Sequence, residues 1–399
     1  MKGKSWGYLG MAALTLVCTG CWDSTEINEL GIVTASGIEL VDPHNPHSKV
    51  RGYVQVARPS ELSSDPNGGG KTGDEKSFVL ESATGETAAG TLQKVQQSLS
   101  RRFFFRDRRV TVVGEHFARR GMTDLLDEAL RNPDARLRSF LVVADGCRTG
   151  DIMRLPYPLA RLPADAIADL EARHAGVTIN VVQFIKAMTG KGDPYVSGIR
   201  IVHNQASTQK KGVFELADVA VFRRDRMVGW LRGDAAKGFA LIQPQSHRLR
   251  LESLAVPLSP GRWLTSQLII LNKTVHLTWG RHGPQVSMAI EAQDDILENN
   301  SSLMLDRPRD LHLAEFLLGN TMRQQVLAAL DALQHQYQAD CVGFGDAFFA
   351  AYPRQWRKVE GHWRQVYAQM PITVTVKVHV VRSGLTGDSL RDQLTVKGE

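Results

Sequence analysis

Ile372-Thr373-Val374-Thr375-Val376-Lys377-Val378-His379-Val380 alternates apolar and polar residues without a break, the period of a strand with one face buried and the other in water. The apolar surface it needs lies just upstream. Residues 311–341 place Phe316, Leu317, Met322, Val326, Leu330, Leu333 and Tyr337 at helical spacing. Residues 345–351 and 353–366 form a further helical region dense in aromatics, including Phe348, Phe349, Tyr352, Trp356, Trp363 and Tyr367. Trp356 and Trp363 are seven positions apart, two turns on one helix face, and read as a stripe packing on the last sheet. A helix-packed sheet therefore closes the chain, and the fold class expected is α+β.

Upstream of that unit the texture is strand-rich. Residues 196–202 and 213–223 look extended, with Arg224-Asp225-Arg226 turning the second into 227–231. Further strands are expected at 248–255, 266–278 and 285–290, and the polar stretch 291–309 reads as a linker. Gly190-Lys191-Gly192-Asp193-Pro194 marks a break. Before it, strands at 32–40, 50–56, 110–114 and 138–144 alternate with helical patterns at 84–99, from 115, at 164–174 and at 180–188. The length suggests two or three domains, with changes of texture near 200 and 292.

Residues 1–20 stand apart. Met1-Lys2-Gly3-Lys4 carries two positive charges, an apolar stretch runs from Trp6 to Cys18, and Val17-Cys18-Thr19-Gly20-Cys21 ends it. The apolar stretch has the length of a secretory signal core and is too short to span a bilayer. Small residues before a cysteine suit a lipoprotein signal peptidase, although Cys18 stands where Leu is usual. Diacylglycerol on Cys21, cleavage between Gly20 and Cys21, and two acyl chains for stable anchoring in the bilayer are the expectation.

Of 399 residues, 43% are hydrophobic and 23% charged, with formal charge +6 and pI near 9.1, ordinary for a globular chain. Arg101-Arg102 to Arg106-Asp107-Arg108-Arg109 is too small a basic face to imply nucleic acid. Past the signal only Cys147 and Cys341 remain, expected as unpaired small buried residues.

Catalytic chemistry finds no support. Gly68-Gly69-Gly70-Lys71-Thr72 resembles the tail of a phosphate loop, but Asp65 stands where the leading glycine belongs. No Gly-x-Ser-x-Gly elbow or His-Glu-x-x-His occurs. His44 and His47 read as exposed loop histidines, and Glu291, Asp294, Asp295 and Glu298 as a solvated run. No catalytic residue, metal ligand or cofactor site is expected.

Three separated stretches resemble the Ger(x)C family, the lipoprotein C subunits of spore germinant receptors. Cys21-Trp22-Asp23 with Glu26 to Val33 is similar to the family's start. Ala220-Val221-Phe222 with Met227-Val228-Gly229-Trp230-Leu231 is similar to its central hairpin. Val342-Gly343-Phe344-Gly345-Asp346-Ala347-Phe348, Tyr352-Pro353, Trp356, 374–380 and Gly384-Leu385 resemble its carboxy-terminal signature. The resemblance implies a lipoprotein of three mixed α/β domains with mainly antiparallel sheets, an N-terminal α/β domain over 21–200, a β-rich middle domain over 201–292 and a helix-plus-sheet domain over 293–399. It would sit on the outer face of the cytoplasmic membrane, and in the spore on the inner membrane. There it would work beside integral-membrane A and B subunits, with Cys21 as the residue whose role carries over. A solute-binding lipoprotein is the alternative, though the β-rich middle departs from the two similar lobes of such proteins.

Overall fold

The structure is a computed structural model that describes residues 29–45, 47–58, 77–173, 177–203, 212–246 and 253–384. Gly20, Cys21 and the glycine-rich 68–72 stretch lie outside the described residues. So does most of the strand expected at 248–255, of which 253–255 belong to a described strand.

Two mixed sheets carry the fold. The larger is ordered β3-β2-β1-β5-β6-β7-β8-β9. Its strands are β1 (Leu30–Leu40), β2 (Val50–Ala57), β3 (Phe78–Gly85), β5 (Val110–Gly114), β6 (Phe140–Ala144), β7 (Tyr195–Val202), β8 (Val213–Arg223) and β9 (Arg226–Leu231). The short β4 (Arg102–Phe104) runs parallel to the start of β1. At the centre β1, β5, β6 and β7 are parallel; the margins are antiparallel hairpins. Composition explains the centre. Val110-Thr111-Val112-Val113 is buried on both faces, as a parallel strand covered on both sides must be.

Helices supply that cover. Ile152 and Met153 of α4 (Thr149–Arg154) and Ala164 and Ile167 of α5 (Pro163–Ala172) meet Val110, Val112 and Val142 on one face. On the other, Phe117 of α2 (Glu115–Arg120), Leu126 of α3 (Thr123–Arg131) and Phe184 of α6 (Val181–Thr189) meet Val113, Leu141 and Val143. The single helix expected from residue 115 is two helices, because Gly121 has φ 140, backbone that an L side chain adopts only under strain. Asn180 and Gln183 form a reciprocal capping box that starts α6. The remaining helix of this half, α1 (Ala88–Ser98), lies on β2 and β3.

The second sheet is ordered β10-β11-β12-β13, from β10 (Ser253–Ser259), β11 (Arg262–Gly280), β12 (Gly283–Asn299) and β13 (Ile372–Arg382). Leu264, Leu268, Leu271, Met288, Ile290, Val374 and Val378 are buried on its inner face. Asn272, His276, Ser287, Glu291, Thr375 and Lys377 point to water. Residues 291–299, expected as linker, continue β12. Asp294 faces inward and accepts from Ser266 Oγ at 2.6 Å, so an apparently solvated acid run is an alternating strand. The boundary expected at 292/293 falls inside β12, and that at 200/201 inside β7.

Helix α7 (Gly233–Ile242) and the long α8 (Pro308–Asp331) pack together. A Cβ on Gly238 would collide with the Gln325 backbone carbonyl. Helix α8 also lies along the outer edge of β13: Arg323 Nε donates to Val374 O at 3.1 Å and Val380 N donates to Glu315 Oε1 at 3.0 Å. After a π turn, α9 (Phe344–Ala351), α10 (Pro353–Val359) and α11 (Trp363–Gln369) complete the chain before β13. Trp356, Tyr367, Phe344 and Phe348 are among the largest fully buried side chains, so the aromatic stripe is core.

Candidate functional site

The densest buried polar cluster joins the two sheets. Asp340 follows the π turn and is fully enclosed. Its Oδ1 accepts from the Gly343 and Phe344 N–H groups at 3.0 Å each, and Oδ2 accepts from Gly345 N–H at 2.6 Å and Trp363 Nε1 at 3.3 Å. Gly343, at φ 87, lets the chain wrap the carboxylate. Burial pushes the Asp340 carboxyl up to about 6, against the pull of the backbone N–H groups.

Asp193 meets it from the larger sheet. Its N–H donates to Asp340 O at 2.9 Å, and its Oδ2 accepts from Asp340 N–H at 3.1 Å. Oδ1 accepts from Arg224 N–H in the β8–β9 turn and from Arg364 Nη2 of α11, each at 2.9 Å. Around this pair Lys191 N–H donates to Asp346 Oδ1, Arg223 Nε to Tyr337 O, and Tyr337 OH to Trp230 O. Cys341 is buried beside them, with Sγ 3.4 Å from Pro194 O. Both Cys147 and Cys341 are free thiols; burial raises Cys147 to about 11.

A second network lies beyond the end of β6. Arg232 bridges Asp145, at 2.7 and 3.1 Å, and Asp218, at 2.7 Å. Arg200 joins Asp218 at 3.4 Å and Glu215 at 2.8 Å. The Arg232 guanidinium also stands 5.5 Å from the Trp230 ring centroid. A cavity of about 550 Å³ opens beside it, where β1, β5 and β6 end, lined by Glu39, Arg51, His116, Cys147 and Arg148. Ligands of open α/β sheets bind at such carboxyl ends. Glu39 is already engaged, accepting from Tyr53 OH at 2.7 Å and Thr149 N–H at 2.9 Å. Burial, with Glu39 adding to it, pushes Tyr53 to about 12.

Of the residues singled out in the sequence, His44 and His47 are exposed, as expected, and the His44 ring stands 6.3 Å from that of His116. No group of metal-binding side chains occurs among the described residues, and no described helix is long and apolar enough to cross a membrane. Sequence reasoning missed Asp193, Asp340 and Arg232. A usable signal existed: Asp193 sits in the Gly-rich break before β7, and Asp340 just precedes the Val342–Phe348 motif.

These features define a two-sheet α/β scaffold fastened at an internal carboxylate junction. Two family models match the chain in order: "spore germination protein N-terminal domain" matches residues 23–201, and "spore germination B3/GerAC like, C-terminal" matches 217–384. The putative spore germination protein YfkR of Bacillus subtilis is 25% identical over 373 residues, 93% of this chain and 95% of that protein. Spore germination protein KC of the same organism is 22% identical over 96% of this chain and 97% of its own length. The crystal structure of the GerBC protein superimposes with TM-score 0.56 at 15% identity, covering 87% of this chain and 97% of that one, and so shares the fold. The chain belongs to the Ger(x)C family of spore germination proteins.

Proposed function

We propose that this chain is the lipoprotein subunit of a spore nutrient germinant receptor, anchored in the bilayer through diacylglycerol on Cys21. It acts without catalysis, by assembly with integral-membrane A and B subunits. The observation that carries this reading is the match of both halves, in order, to the spore germination family models. A body tethered by lipid is confined to a plane, which raises its effective concentration towards membrane partners and lets weak lateral contacts suffice. The chemistry seen fits that role: the buried carboxylates hold parts of the molecule together, and Arg232 draws three strands and a helix start into one surface.

The test is genetic and biochemical. Deletion of the gene should abolish nutrient-triggered germination, wild-type chain should restore it, and Cys21→Ser should not. Cross-linking in spore membranes should recover polytopic partners. Germination that proceeds normally in the deletion strain would refute the proposal.

A further inference from the structure

The arginines of residues 101–109 are drawn together at one end of the larger sheet. Leu30 of β1 pairs with Arg102 of β4, so this is also the end at which the described chain begins. Phe140 N–H donates to Arg109 O, which brings the 105–109 loop against the 132–139 loop. Arg58 joins them at the end of β2, since Val56 is level with Val33. Within this set Arg106 pairs with Asp134, Arg109 with Asp165 and Arg136 with Asp107. Arg108 is buried and donates to Ser36 Oγ. Arg58, Arg101, Arg102 and Arg138 are exposed and make no ion pair among the described residues. Leu159, 89% exposed, lies three residues before Leu162, which packs on Ala57 and Phe78 at the same end.

We propose that this end of the larger sheet rests on an anionic membrane surface, with Arg58, Arg101, Arg102 and Arg138 taking lipid phosphates. Position supports it. Leu30 is nine residues beyond Cys21, a stretch that reaches at most roughly 30 Å when extended. A lipid on Cys21 therefore keeps this end within roughly 30 Å of the headgroups. Free guanidinium groups on exposed loops meet phosphate oxygens bidentately, and an exposed leucine beside them suits the interface. The inference rests on Cys21 being the anchor, and the test separates the two.

The chain from residue 21 onward, which contains every described residue, is prepared with Cys21→Ser so that no acyl group contributes. It is sedimented with phosphatidylcholine vesicles and with vesicles in which about a third of the lipid is phosphatidylglycerol. Binding is expected to the anionic vesicles alone and to weaken with salt. The triple variant R101S/R102S/R138S should lose roughly a hundredfold in partitioning. R354S/R357S/K358S, the same charge removed from exposed α10, should bind as the parent does. Circular dichroism confirms that both variants fold. Equal binding to both vesicles, no binding to either, or equal loss in the two variants overturns the proposal. Arginine-dependent capture of an acidic protein without vesicle binding overturns it too. Lipid labelling in cells is read separately: an unlabelled Cys21 with vesicle binding intact fails the anchor alone, and a labelled Cys21 without binding fails this inference alone.

Discussion

Glu171 on α5 is wholly buried, and the Ser197 and Thr178 hydroxyls beside it do not offset the loss of water. Burial raises its carboxyl to about 7. The folded protein therefore keeps a proton that the unfolded chain releases near its ordinary value, and stability falls as pH rises between about 4.5 and 7. Glu171→Gln should remove that decline, a gain on the order of 3 kcal/mol at pH 8 and little at pH 4. Urea unfolding at the two pH values measures it, and an unchanged slope would show that Glu171 does not set the dependence. Asp340 contrasts with it. Its carboxyl is also raised, yet three backbone N–H groups and Trp363 point at it. Asp340→Asn removes a buried charge but turns an amide NH₂ towards donors. A loss of about 2–4 kcal/mol is expected, read as a lowered urea midpoint; a stabilised variant would contradict this account.

Helix α7 approaches α8 so closely that only glycine fits at Gly238. Gly238→Ala should improve intrinsic helix propensity by about 1 kcal/mol and still cost more than it gains, about 1–3 kcal/mol net, because backbone must shift. A raised melting temperature would refute this contact. The same elements show what was legible in the sequence. Strand β13 could be read from period alone, since one of its faces is apolar; the β8–β9 hairpin was legible from two extended apolar runs either side of Arg224-Asp225-Arg226. The end of β12 could not be read so, because its inward position is held by Asp294 with Ser266 instead of an aliphatic side chain. Strand β3 escaped because Glu81-Ser82-Ala83-Thr84-Gly85 has no apolar alternation; it is a sheet edge held by its ladder to β2. Of the site residues, Gly20 and Cys21 are an expectation from small-residue spacing and lie outside the described residues. Asp193 was not legible, because its partners, the Arg224 and Asp340 N–H groups and the Arg364 side chain, are remote in sequence. Asp340 takes its N–H groups from Gly343, Phe344 and Gly345 close by, and what the sequence hid was its burial.

On the scale of the whole molecule, Asp193 fastens three segments: the approach to β7, the β8–β9 turn and the 340–364 region. Asp193→Ala should leave the Arg224 and Asp340 N–H groups without their acceptor and cost about 2–4 kcal/mol at the junction. The apolar core that runs continuously from one sheet to the other is untouched by that change. Calorimetry should therefore show one unfolding transition in both parent and variant, at a lower temperature in the variant. A broadened or split transition would mean that the junction, and not the shared core, couples the halves.

Helix α8 lies along β13 with Glu315 and Arg323 occupying peptide groups that another strand would otherwise seek. Were the chain lipid-tethered as proposed, its copies would share one thin layer, where encounters between identical bodies are frequent. An open strand border there invites endless copy-to-copy addition. By keeping that border occupied, α8 makes the molecule a poor template for its own kind. Shortening those two side chains should show up as a tendency to form fibres before any loss of fold is detected.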